Sequence, residues 1–290
     1  MTAEVDQIIV GVDNLDLSRD AIGWGVAEAE ARRVPLRLVH AIRILAVPEP
    51  VLLAGAYAWP EIPASVLREA GEEILKHAEG YARSLAPGLE ISTQIHQGDT
   101  VSVLEDVAHP HGLIVIGSRR LGAVRANLFG SVGTGLAHTS SSMFVVVRGE
   151  HEIPPDAPVI VGVDPSAECA TVLKAAFEEA ALHHRALRTV IGWEPYFNAP
   201  PDRQNKGFRD VRTEVELWLA EALAGWQEAY PDVQVQRHLA FDYPTTALTA
   251  QSVSAALVVV GVGGGLIGRI GSVAAGVLHH AACPVVVIPR

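Results

Sequence analysis

The chain reads as an α/β protein built from two tandem copies of one domain, each an open parallel sheet of five strands with helices on both faces. Three observations predict this. First, IIVGVD at 8–13 returns as VIVGVD at 159–164, and LIVIGSRRLGAVRANLFGSV at 113–132 returns as ALVVVGVGGGLIGRIGSV at 256–273, in the same order and at similar separation. Paired echoes of that kind are an internal duplication, and they set the division of the chain before its fold is argued. Second, the strand-like runs are apolar at every position rather than at every other one, as strands covered on both faces require. Third, these runs alternate throughout with stretches of helical periodicity, the βαβ pattern whose crossovers are right-handed. The 290 residues suffice for two domains with a core each. Their expected bounds are 1–150 and 157–290, with 149–158, rich in proline and acid, as linker.

In chain order, the first strand is expected at 8–13, followed by a short loop and by Ser18 as N-cap of a helix over 19–33. In that helix Ala21, Ile22, Gly25, Val26 and Ala29 recur at helical spacing. Pro35 stops it, and 36–42 is the second strand. The apolar stretch 43–63 carries four prolines and is read as loop. Val66, Ala70, Ile74, Ala78, Tyr81 and Leu85 mark one face of a long helix over 65–85, ended by Pro87-Gly88. A strand at 89–96, a helix after the cap Asp99 to Ala108, a strand at 113–116, a helix at 132–138 and a strand at 143–148 complete the copy. The second copy repeats the order: strands at 159–164, 187–193, 233–239, 257–260 and 285–288, and helices at 168–184, through Val211 to Trp226, at 245–254 and at 273–280. The apolar fifth strands would aggregate if left bare at a sheet edge. They are expected to pair the two copies about a pseudo-twofold axis, with whole chains dimerising further.

Composition excludes several classes. Acidic residues outnumber basic ones, 33 to 22, for a net charge of −11, so there is no electrostatic footprint for nucleic acid or an anionic membrane. The apolar run 255–268 is too short to span a bilayer. The acidic start is unlike a signal peptide, which makes the cytoplasm the expected location. Cys169 and Cys283 form no metal-spaced or CxxC pair. The histidines stand adjacent or alternate, which turns neighbours to different helix faces, and no metal site is expected from them. GxxxxGK[ST], GxSxG and HExxH are all missing, and no nucleophile stands with a recognisable base.

What the two copies share is a strand that ends in glycine, a glycine-containing loop, and Gly-Ser-Val at a helix start: Gly117-Ser118 to Gly130-Ser131-Val132, and Gly261 to Gly271-Ser272-Val273. Such a loop offers unpaired N–H groups and a positive helix end to an anion. Each copy also ends its first strand with glycine and acid, Gly11 and Asp13 or Gly162 and Asp164. Singly, an Asp there most often starts a turn, and a glycine only relieves one. Together at a switch point of the sheet they point to sugar and phosphate.

These residues resemble the universal stress protein family in its tandem form typical of actinobacteria. The family's signature is a glycine, two residues, a second glycine, nine residues, then glycine followed by Ser or Thr. The resemblance implies a Rossmann-like, adenine-nucleotide alpha-hydrolase-like fold with strand order 3-2-1-4-5 in each copy. It implies ATP or a related adenine nucleotide, possibly with Mg, bound by Gly117, Ser118, Gly122, Gly130, Ser131 and Val132 beside Gly11 and Asp13. The second site would comprise Gly264 with Gly162, Asp164, Gly261, Gly271, Ser272 and Val273. Two departures stand out: Arg120 replaces the second signature glycine, and only six residues separate Gly264 from Gly271. The expected function is a nucleotide-dependent regulator of stress response, not an enzyme. The alternatives are a nucleotide-free interaction scaffold and, last, a slow ATPase lacking a recognisable water-activating base.

Overall fold

The computed structural model describes residues 5–43, 63–109, 111–118, 130–148, 153–192, 206–263 and 271–289, with 206–211 as backbone only. The elements are β1 (Gln7–Gly11), α1 (Leu15–Arg32), β2 (Leu36–Ile42), α2 (Ala64–Leu85), β3 (Ile91–Gln97), α3 (Thr100–Ala108), β4 (Gly112–Gly117), α4 (Ser131–Thr139) and β5 (Phe144–Val147). The second copy repeats them: β6 (Val159–Gly162), α5 (Cys169–Leu182), β7 (Leu187–Gly192), α6 (Lys206–Ala229), β8 (Val235–Ala240), α7 (Pro244–Ser252), β9 (Leu257–Gly261), α8 (Ser272–His280) and β10 (Val285–Ile288). Among the described residues no helix is long and apolar enough to cross a membrane.

The ten strands of the described residues form one sheet, ordered β3-β2-β1-β4-β5-β10-β9-β6-β7-β8. Each half therefore has the order 3-2-1-4-5 and is parallel within itself. The halves meet where β5 and β10 pair antiparallel, with Val286 opposite Val145 and Val287 opposite Phe144. This is the pseudo-twofold joint expected from the two bare apolar strands. The outer edges, β3 (ISTQIHQ) and β8 (VQRHLA), are instead polar and partly exposed, a composition that discourages further strand addition.

Strand residues divide by parity. Ile8 and Val10 of β1 point into a core beneath α1, α2, α5 and α6, whereas Ile9 points into a second core beneath α3, α4, α7 and α8. Each fully buried branched side chain contributes about 1.5–3 kcal/mol, so neither face can be left bare. In the second copy Phe177 fills the space between α5 and α6 and stacks on Trp226 and Tyr230, with ring centroids 6.1 and 5.6 Å away.

One helix start differs from expectation. Asn14, not Ser18, caps α1: its Oδ1 accepts the Leu17 N–H at 2.9 Å, and the helix begins at Leu15. The Ser18 hydroxyl accepts the Asp13 N–H at 3.2 Å. It fastens the end of β1 to the first turn of α1. At the other end, Arg33 adopts a left-handed conformation, φ 60°, and so does its repeat equivalent His184, φ 51°. The duplication thus preserves even the backbone turn that closes the helix.

Candidate functional site

In the order 3-2-1-4-5 the chain leaves β1 toward β2 on one side, while β4 comes to lie on its other side. That reversal opens a crevice beyond the strand ends. In the first copy the crevice holds an inner cavity of ≈ 110 Å³ and an adjoining outer one of ≈ 460 Å³. Asp13, His40, Ala41, Thr100 and Val132 line both. The combined space falls in the range of about 300–1,000 Å³ occupied by small-molecule sites.

The fold gathers most of the candidate residues of the first copy here. Gly11, Asp13, Gly117, Ser118, Gly130 and Val132 line the inner cavity, and Ser131 lines the outer one. Gly122 lies outside the described residues, as does Arg120. The helix α4 starts at this point with Gly130 as an extended N-cap that supplies no side-chain hydrogen bond. Its first-turn N–H groups receive no oxygen from the cap, and the positive end of the helix borders the cavity.

Gly117 has a different reason for being glycine than sequence logic suggests. A Cβ there would come within 2.9 Å of the Leu17 carbonyl oxygen. The missing side chain makes room for the first turn of α1 rather than for a ligand. The site nevertheless depends on it, because that turn supplies Leu17 and Ser18 to the cavity wall.

Other lining residues carry no sequence signal. His40, near the end of β2, has its Nδ1 2.7 Å from the Val12 carbonyl oxygen, and a Cβ on Gly71 would come within 2.9 Å of the ring. The imidazole is wedged between the end of β1 and α2. Arg43 brings a cation to the outer cavity, and Asp99 faces the same space while its carboxylate caps α3 by accepting the Val101 N–H at 3.1 Å. Only the three-dimensional approach of β2, α2 and α3 brings these groups together.

The second copy is arranged differently. Gly162 and Gly261 end β6 and β9, Gly271 caps α8, and Ser272 and Val273 open that helix. Gly264 lies outside the described residues. The Gly271 N–H donates to the Val262 carbonyl at 2.6 Å, so the amide that would head an anion site is already spent on the strand end. The chain from Gly261 to Gly271 is three residues shorter than that from Gly117 to Gly130. Asp164 accepts the Ser166 N–H at 3.3 Å, the local turn that an acid after a strand commonly makes.

A second cluster of ionisable groups lies at the joint of the copies. Glu28 and Arg32 of α1 meet Glu179 of α5 and His183 just after it, with both carboxylates only 2% exposed. Burial first, and then the charge of Glu28, push the Glu179 carboxyl up to about 7. Burial also opposes charge on Glu28, but a hydrogen bond with His183 and the Arg32 guanidinium outweigh it and hold that carboxyl below its ordinary range.

Comparison with known proteins places this architecture. The model of the universal stress protein family matches residues 4–148 and again 157–289. A universal stress protein of Mycobacterium tuberculosis is 33% identical over 97% of this chain and 96% of its own. One from Mycolicibacterium smegmatis is 34% identical over 98% and 97%. The crystal structure of a universal stress protein from Archaeoglobus fulgidus superposes with a TM-score of 0.68 at 17% identity, covering 99% of this chain and all of that one.

Proposed function

The chain belongs to the universal stress protein family, and from that premise we propose that it binds an adenine nucleotide, ATP in the first instance, in the crevice of its first copy. The observation that carries this reading is the convergence on one cavity of Asp13, the Gly117-Ser118 strand end and the start of α4, whose cap offers no side chain. The residues fit the group. Phosphate oxygens need N–H donors at a helix start and a nearby cation, which α4 and Arg43 supply. Asp13 suits a ribose hydroxyl or a phosphate-bound Mg. The nucleotide would supply a metabolic signal rather than a reaction, and the protein acts as a nucleotide-dependent regulator in stress response. We take 1–150 and 157–290 as its two domains, the cytoplasm as its location and a homodimer as its assembly.

The second copy serves as scaffold in this reading, because its Gly271 N–H is already taken by the Val262 carbonyl and its loop is three residues shorter. One nucleotide per chain is the expected stoichiometry. The test is chromatography of nucleotide released by denaturing freshly purified protein, followed by calorimetry of ATP binding to wild type and Asp13→Ala. The variant should bind at least ~5-fold more weakly, the loss of one hydrogen bond worth about 1 kcal/mol or more. An empty protein that ignores added ATP would favour the scaffold reading for both copies.

A further inference from the structure

Repeat alignment without gaps from β1 to β2 sets Glu28 against Glu179 and Arg32 against His183, each pair 151 positions apart. The antiparallel β5–β10 joint brings these equivalent helices face to face, so the four side chains form one ring across the pseudo-twofold axis. A symmetric ring would hold two carboxylates and two guanidinium groups. Here histidine occupies one of the cation positions, and the buried pair of acids faces a single permanent positive charge.

The carboxylate oxygens are divided between the two sides. Arg32 takes both Oε1 atoms: its Nε donates to Glu28 at 2.6 Å and its Nη2 donates to Glu179. The Oε2 atoms turn to His183, whose Nε2 lies 2.9 Å from Glu28 and 3.7 Å from Glu179. At 3.7 Å there is no hydrogen bond, and the buried Glu179 Oε2 has no hydrogen-bond partner. An acceptor left unmatched in that setting has lost its water without gaining a partner, a cost that a bound cation would relieve.

We propose that Glu28 Oε2, Glu179 Oε2 and His183 Nε2 form a binding site for a divalent transition-metal ion of the Zn²⁺ type, which ties the first copy to the second. The three atoms lie within 4.8 Å of one another. Zinc–nitrogen and zinc–oxygen bonds of about 2.0–2.2 Å put tetrahedral ligand atoms roughly 3.4 Å apart, between the two distances found here. Arg32 holds the other oxygen, Oε1, of each carboxylate and orients them as an outer-shell partner does. His183 is 30% exposed and provides the entry path and a place for a water as fourth ligand. The ion takes His183 Nε2 without the proton it shares with Glu28 and both carboxylates in ionised form, so protons leave these ligands as the ion enters.

The sequence could not have shown this site, because the ligands come from two copies and neither helix carries a paired-histidine spacing. The test uses the full chain, stripped with a chelator and titrated with Zn²⁺ alone by calorimetry. One ion per chain, a raised melting temperature and, with Co²⁺ as probe, the visible spectrum of a tetrahedral site are expected. His183→Arg restores the symmetric ring and should keep the fold while lowering Zn²⁺ affinity by more than the roughly 10–100-fold of an outer-shell loss. Glu179→Gln should lower it likewise. Zn²⁺ affinity unchanged in His183→Arg would assign binding to surface histidines and overturn the proposal. So would a wild-type melting temperature that responds to pH but not to Zn²⁺, the behaviour of a site that holds only a proton. None of these readouts involves nucleotide, so failure here leaves the crevice of the first copy untouched.

Discussion

Gly117→Ala separates two reasons for a glycine at the mouth of the crevice. The new methyl would stand 2.9 Å from the carbonyl oxygen of Leu17, against a comfortable carbon–oxygen separation of roughly 3.3–3.6 Å. The obstacle is main chain and cannot rotate away. Relief requires the end of β4 and the first turn of α1 to part by about half an ångström. Overpacking of this size costs about 1–3 kcal/mol. The bond from the Asp13 N–H to Ser18 Oγ, already 3.2 Å long, holds the same turn to the end of β1, and its loss on displacement of the turn would add about 0.5–1.5 kcal/mol. Urea titration followed by circular dichroism should show a lower midpoint at unchanged slope. Calorimetry should show weaker ATP binding, since the displaced turn lines the cavity. Wild-type stability with abolished nucleotide binding would refute this account and show that the glycine keeps space for the ligand itself.

Two further outcomes are expected. Phe177→Ala empties a fully buried site between Trp226 and Tyr230 and should cost about 3–5 kcal/mol, with altered tryptophan fluorescence; a loss below about 1 kcal/mol would mean that the helices collapse onto the cavity. Burial raises both thiols, Cys283 to about 12, and at Cys169 the charge of Asp164 adds to the rise while a backbone hydrogen bond at Asp164 opposes it. At pH 8 neither should react quickly with a disulfide reagent in the native protein, whereas both should in denaturant; prompt native labelling of Cys283 would contradict its burial.

Much of the fold was legible because its signals are local or repeated. Wholly apolar runs such as LIVIG and LVVVG announce strands covered on both faces, and the echo of IIVGVD announces the duplication. The start of α1 departs from the sequence expectation because Ser18 is a good cap in isolation, while the turn at Asp13-Asn14 supplies a nearer one. In the crevice, Asp13, Gly117 and Gly130 could be named from their order along the chain. His40 and Arg43 could not, because they reach the cavity through the pairing of β1 with β2 and have no motif. In the second copy the Gly271 amide is taken by the Val262 carbonyl, and the short loop is the one hint of that difference in the sequence. Glu28 and Glu179 look like ordinary helix-surface acids until the two halves are superposed.

The antiparallel joint of β5 with β10 has a geometric corollary. Strands within each half all point the same way, and the halves point in opposite directions, so the C-terminal strand ends of the first copy and those of the second lie on opposite poles of the molecule. A protein that docks over the Asp13 pole covers one crevice and leaves the other in open solvent. The two poles therefore face opposite ways, and a visitor at one does not obstruct the other.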